Sequence, residues 1–120
     1  MDLEPVYDWT GSVVGWVVGD RVLDRGGGDA AVRHGDWVYD YAGRVLGTYT
    51  GGWFRNVAGD YAAFTPGATG GPPLPPLQPA PGPPSVAAPP PAPAFPPPPP
   101  PPAPSRAWSG SGWTGFLAGK

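Results

Sequence analysis

The first half of this chain repeats itself every sixteen residues, four times over and without a gap. Aligning Val6–Arg21, Val22–Trp37, Val38–Trp53 and Phe54–Thr69 sorts like residues into columns. The first column reads Val6, Val22, Val38, Phe54, and the third reads Asp8, Asp24, Asp40, Asn56. The sixth is glycine throughout (Gly11, Gly27, Gly43, Gly59), as is the fourteenth (Gly19, Gly35, Gly51, Gly67). The tenth alternates Gly15, Ala31, Gly47, Ala63. A repeat this regular means one small supersecondary unit used four times, so it constrains the architecture before any propensity is considered. It names no reaction.

Each unit reads as strand, tight turn, strand, turn. In Val38–Tyr49, β-branched and aromatic residues flank an Asp-x-x-Gly segment, which is a hairpin signal. The aspartate side chain can accept bonds from backbone N–H groups two or three residues on, and the glycine closes the turn in the left-handed conformation. A second turn, at Gly19-Asp20, Gly35-Asp36 and Gly51-Gly52, joins one hairpin to the next. The expectation is all-β, a small pseudo-four-fold barrel of four hairpins, with the ring closed so that no sheet edge is left open. The first, ninth (Val14, Ala30, Leu46, Ala62) and eleventh (Trp16, Val32, Thr48, Phe64) columns are expected to face inward. The tenth then lies on the opposite face, and the mixed twelfth (Val17, Arg33, Tyr49, Thr65) reads as solvent-facing. The second unit, with Arg25-Gly26-Gly27-Gly28-Asp29 in its turn, is expected to be the loosest.

The pattern Val-Tyr-Asp-x-x-Gly-x-Val-x-Gly at this period resembles the bacterial 4-fold beta flower family. Val6-Tyr7-Asp8, Gly11 and Gly15 carry it, and again Val38-Tyr39-Asp40, Gly43 and Gly47. The run Ala68–Pro72 resembles that family's exit from the domain, so the likeness covers about residues 5–72. It implies a shallow barrel of hairpins with apolar residues on the axis, and it implies no activity.

Only the repeat region can bury a core. Twenty of the 22 prolines lie between Pro72 and Pro104. The domain reading is therefore 5–70 barrel, 71–105 Pro/Ala-rich linker and 106–120 short aromatic segment. Roughly 60 foldable residues make a marginal core. With no cysteine in the chain, neither disulfides nor thiolate zinc sites can support it. The linker, with seven consecutive prolines from Pro96 to Pro102, is expected to be a disordered polyproline II spacer. Pro72-Pro73-Leu74-Pro75 resembles a WW ligand, and Phe95 followed by four prolines resembles an EVH1 ligand. Beyond it Trp108, Trp113, Phe116 and Leu117 return aromatic and apolar bulk. The last three have helical spacing, although Gly110, Gly112 and Gly115 weaken a helix. This segment is expected to be a docking peptide, for its own barrel, a protein partner or a neighbouring subunit.

Charge and motif content narrow the function classes. All nine acids lie in residues 1–60, with five arginines, so the repeat region is acidic and no nucleic-acid partner is expected. The acidic start Met1–Pro5 has no basic region followed by an apolar run, and no apolar stretch approaches the roughly 18 residues of a membrane span. The expected location is cytoplasmic. His34 is the only histidine, in an inter-hairpin turn, and nucleotide, esterase and zincin motifs are missing from the sequence. Asp8, Asp24, Asp40 and Asn56 could form a cation ring if they pointed inward, or each could cap its own turn. Turn capping is the reading adopted, so no metal or cofactor is expected. Tyr7, Trp9, Tyr39 and Tyr41, with Trp37 and Trp53, could line an aromatic surface for a peptide or lipid. The functional expectation is a non-enzymatic binding or assembly module, with a lipid- or membrane-surface-associated barrel as the alternative.

Overall fold

In a computed structural model, residues 3–86, 88–100 and 105–119 are described. Pro101 and Pro102, the last of the seven consecutive prolines, and Lys120 lie outside them. Eight antiparallel strands follow one another into a closed barrel. They are β1 (Glu4–Tyr7), β2 (Val13–Val18), β3 (Arg21–Asp24), β4 (Asp29–His34), β5 (Trp37–Tyr39), β6 (Val45–Thr50), β7 (Trp53–Asn56) and β8 (Tyr61–Phe64). Tyr7 on β1 meets Phe64 on β8 and closes the ring. One short helix, α1 (Gly112–Leu117), follows near the end of the chain.

The third and sixth columns build the turns at one end of the barrel. Asp8 Oδ1 accepts the N–H groups of Thr10 and Ser12, and Asp40 Oδ1 those of Ala42 and Arg44. Asn56 Oδ1 accepts Ala58 and Asp60, and Asp24 Oδ1 accepts Gly28. The sixth-column glycines sit at φ of 81°, 94°, 89° and 89°, a region that penalises any side chain. The second unit uses the same turn as the others, and Arg21 and Asp29 clamp it across β3 and β4 through two bonds of 2.9 and 2.8 Å.

The expected facing needs correction. Val6 pairs with Gly15, Val22 with Ala31, Val38 with Gly47 and Phe54 with Ala63. Directly paired residues share a face, so the tenth column points into the barrel with the first. Val17 pairs with Val22, which turns the twelfth column inward too. The eleventh points outward, since Trp16 pairs with Leu23. The reason is a register shift that recurs after Val6, Val22, Val38 and Phe54. Each bulge adds one residue and rotates the alternation, so the ninth and tenth columns both reach the interior. A strict period of two misses this.

The interior cluster holds Val6, Val22, Val38, Phe54, Ala31, Ala63, Leu46 and Val17. At the end away from the Asp-x-x-Gly turns, Tyr49 stacks on Phe54 at 4.2 Å, and its hydroxyl meets Thr65 Oγ1 at 2.7 Å. The Arg33 guanidinium lies 4.7 Å from the Tyr49 ring centre and Nη1 donates to Gly19 O, which closes that end. The outer wall carries a second cluster of Tyr7, Val13, Trp16, Val18, Leu23, Trp53, Tyr61 and Phe64, covered in part by Leu3, Ala68 and Trp108.

Most described residues of the proline-rich stretch are exposed, and parts of it touch the barrel. Gln78 N donates to Gly11 O at 2.9 Å, and Tyr39 Oη donates to Pro96 O at 2.9 Å. Phe95 stacks on His34 at 4.3 Å. The outer wall supplies aromatic surface and a donor, both of which a polyproline chain lacks within itself.

Candidate functional site

The end of the barrel that carries the Asp-x-x-Gly turns would be open without the C-terminal segment. Residues 105–109 first run along β8. Ser105 Oγ donates to Asp60 Oδ1 at 2.6 Å. Tyr61 N donates to Ala107 O at 2.9 Å, and Ser109 N donates to Tyr61 O at 2.8 Å. The Trp108 ring then meets Trp53 edge-on at 5.6 Å and Phe64 at 6.1 Å. This fixes where α1 begins.

Helix α1 is intrinsically poor. It has six residues, two of them glycine, and no side-chain cap at Ser111. A helix this short does not persist in water alone, so packing holds it. Trp113 is 7 % exposed and Phe116 is fully buried, and both belong to the interior cluster with Leu117 packed against it. Their rings stack on each other at 5.2 Å and 9°. Phe54 meets both edge-on, at 5.0 and 5.7 Å.

The tenth column explains the fit. A Cβ on Gly15 would lie 3.7 Å from the Trp113 ring, and one on Gly47 would lie 2.7 Å from the Phe116 ring. Either would also overlap a neighbouring strand carbonyl, of Leu23 or of Arg55. Gly15 on β2 and Gly47 on β6 stand four strands apart in a ring of eight, on opposite walls. The stacked pair therefore spans a slot between two glycines, while Ala31 and Ala63 line the other two walls. The barrel carries four-fold columns, but its mouth is shaped for a flat pair of rings.

The remaining aromatic candidates do not form one surface. Tyr7 is buried on the outer wall and stacks on Phe64 at 5.7 Å. Tyr39 lies on the opposite wall, beneath Phe95 and Pro96. Tyr41 donates to Asp29 Oδ1 at 3.3 Å, and burial together with the Asp29 charge pushes its hydroxyl up to about 12. The Arg21 guanidinium holds the Asp29 carboxyl below its ordinary range. Trp37 is half-buried and Trp53 buried, the latter against Trp108. Trp9 alone is open, 60 % exposed. It borders a cleft of about 460 Å³ beside α1, with Arg25, Val13, Trp113 and Thr114.

Polar groups that could have served chemistry serve the fold. The Asp8, Asp24, Asp40 and Asn56 oxygens accept turn N–H groups, and the His34 ring lies under Phe95. Among the described residues no group of three or more His, Cys, Asp or Glu is placed to hold a metal ion, and no helix is long and apolar enough to cross a membrane. Sequence reasoning missed Gly15 and Gly47 as the two walls of the slot, although their alternation with alanine was the signal.

No curated protein and no solved structure matches the chain. A family model described as the 4-fold beta flower protein matches residues 4–117. That match runs beyond Pro72, through the proline-rich stretch and α1. With the closed eight-stranded barrel on the page, the conclusion is that this chain belongs to the 4-fold beta flower family.

Proposed function

We propose that the protein is a non-enzymatic binding or assembly module, built from four copies of one hairpin, whose acting surface is the barrel mouth. The mouth takes a peptide bearing two aromatic residues three apart on a helical turn. Its own residues 105–119 occupy it in the resting chain, and a partner peptide of the same pattern competes with them. The observation that carries this reading is the stacked Trp113–Phe116 pair seated between Gly15 and Gly47. The use of the third-column carboxylates in turns supports a role without catalysis.

The test is a titration of the full chain carrying Trp113→Ala and Phe116→Ala with a fluorescent peptide of residues 105–119. Saturable binding, lost when the peptide carries the same two alanines, is the expected result. A folded variant that ignores the peptide overturns the reading. An acyl chain would have to displace the same rings, so uptake by neutral liposomes in place of peptide would favour a lipid-binding barrel.

A further inference from the structure

We propose that the outer rim of the barrel is a polyproline II recognition track read in steps of nine residues, and that the strap (residues 72–105) of a second copy is the ligand it takes in trans. The register is visible on both partners. Gly11, Gly27 and Gly43 recur every sixteen residues along the barrel. The carbonyl oxygens that stand where a Cβ on these glycines would point belong to Pro76, Ser85 and Ala94, nine apart along the strap. A Cβ on Gly11 or Gly27 would overlap the oxygen it meets, and one on Gly43 would come within 3.0 Å. Gly11, Gly27 and Gly43 are therefore glycine for two reasons: the turn conformation and the approach of the strap.

Nine is a natural step for this conformation. Polyproline II has three residues per turn, so nine residues make three whole turns and present the same face each time. Leu77, Val86 and Phe95, the residues after each contact, keep the same spacing. Nine residues advance about 28 Å at ~3.1 Å each. Four such steps encircle a ring about 36 Å across, and the molecule measures 37 × 37 × 21 Å. The strap length thus matches one circuit. It is not needed to bridge a gap, because Gly70–Pro73 at one end and Arg106 at the other line the same cleft of about 450 Å³.

The third step shows how the track reads its ligand. Tyr39, 1 % exposed, donates its hydroxyl to Pro96 O at 2.9 Å. Phe95 lies between His34, stacked at 4.3 Å, and Tyr39, tilted at 5.1 Å. A tyrosine donor beside aromatic faces is how folded domains bind a chain whose carbonyls have no internal partners. At the first step Gly11 O accepts Gln78 N. Polyproline II has no internal hydrogen bonds to break, so the strap of a second copy can make the same contacts with the rim.

The experiment uses the full chain with one proline inserted after Pro90, which makes the Val86-to-Phe95 step ten. NMR follows the Gly43 amide and the Tyr39 ring, and calorimetry follows binding of peptides spanning residues 72–100. The insertion is expected to shift both signals. The natural peptide then binds and restores them, and a peptide with the same inserted proline binds at least tenfold more weakly. Unchanged signals, equal affinity for the two peptides, or binding of neither overturns the proposal. If the inserted chain fails to fold, the unmodified chain is titrated with excess natural peptide. Exchange at the Tyr39 ring is then expected, and its absence overturns the proposal. None of these readouts involves Trp113 or Phe116, so the track and the mouth stand or fall separately.

Discussion

Replacing Phe116 with alanine removes the most deeply seated ring of the plug. The side chain is fully buried, stacked on Trp113 at 5.2 Å and edge-on to Phe54 at 5.7 Å. Truncating a buried phenylalanine costs about 3–5 kcal/mol when the walls cannot collapse. The Gly47 backbone beneath it belongs to the closed ladder between β5 and β7, so collapse is limited. A domain of this size has ~5–15 kcal/mol in all, and about 1 kcal/mol moves its midpoint by ~4–8 °C. The expected loss is therefore well over 10 °C in a thermal melt followed by circular dichroism. A ceiling exists, because α1 can undock once its contacts no longer hold it. Removal of residues 106–120 sets that ceiling, and the Trp113→Ala, Phe116→Ala double variant should reach it with less than the sum of the single losses. A Phe116→Ala chain melting within about 3 °C of the parent, less than 1 kcal/mol at that slope, would refute the idea that the plug completes the core.

Gly47→Ala should cost about 1–3 kcal/mol in denaturant unfolding, because its methyl group meets the Arg55 carbonyl and the Phe116 ring, while Ala63→Gly on the adjacent wall should cost less. Stability should fall as pH rises from about 10 toward 12. The Tyr41 hydroxyl titrates higher in the folded chain than in the unfolded one, so its contribution is complete below the unfolded value and lost through the folded value. Tyr41→Phe should flatten that limb of the pH–stability curve. In acid the sign reverses. Arg21 depresses the Asp29 carboxyl, so its contribution is present above about pH 4 and lost as pH falls through the folded value. Asp29→Asn should remove that part of the acid limb.

Much of the barrel was legible because its columns are local instructions. Asp40 and Gly43 specify a turn within four residues, and Val38 is buried wherever the strand goes. The facing of Gly47 and Tyr49 was not legible, because a bulge is a property of two paired strands and leaves no mark on one. The helical spacing of Trp113, Phe116 and Leu117 was readable, yet the slot they fill depends on glycines far earlier in the chain, Gly47 against Phe116 and Gly15 against Trp113, separations of 69 and 98 residues.

 Contacts this distant in sequence carry no local pattern. The strap is a different case: the nine-residue spacing of Leu77, Val86 and Phe95 lies in the open, but prolines between them mask it as low complexity.

The central claim is that the stacked rings of α1 sit in the barrel mouth between Gly15 and Gly47. The chemical shifts of the α-protons of those two glycines test it most directly, since the ring current of an aromatic side chain in contact displaces them. Both should be displaced from the ordinary glycine range in the full chain and return toward it in the Trp113→Ala, Phe116→Ala variant. Ordinary shifts in the full chain, unchanged by the two substitutions, would contradict the account.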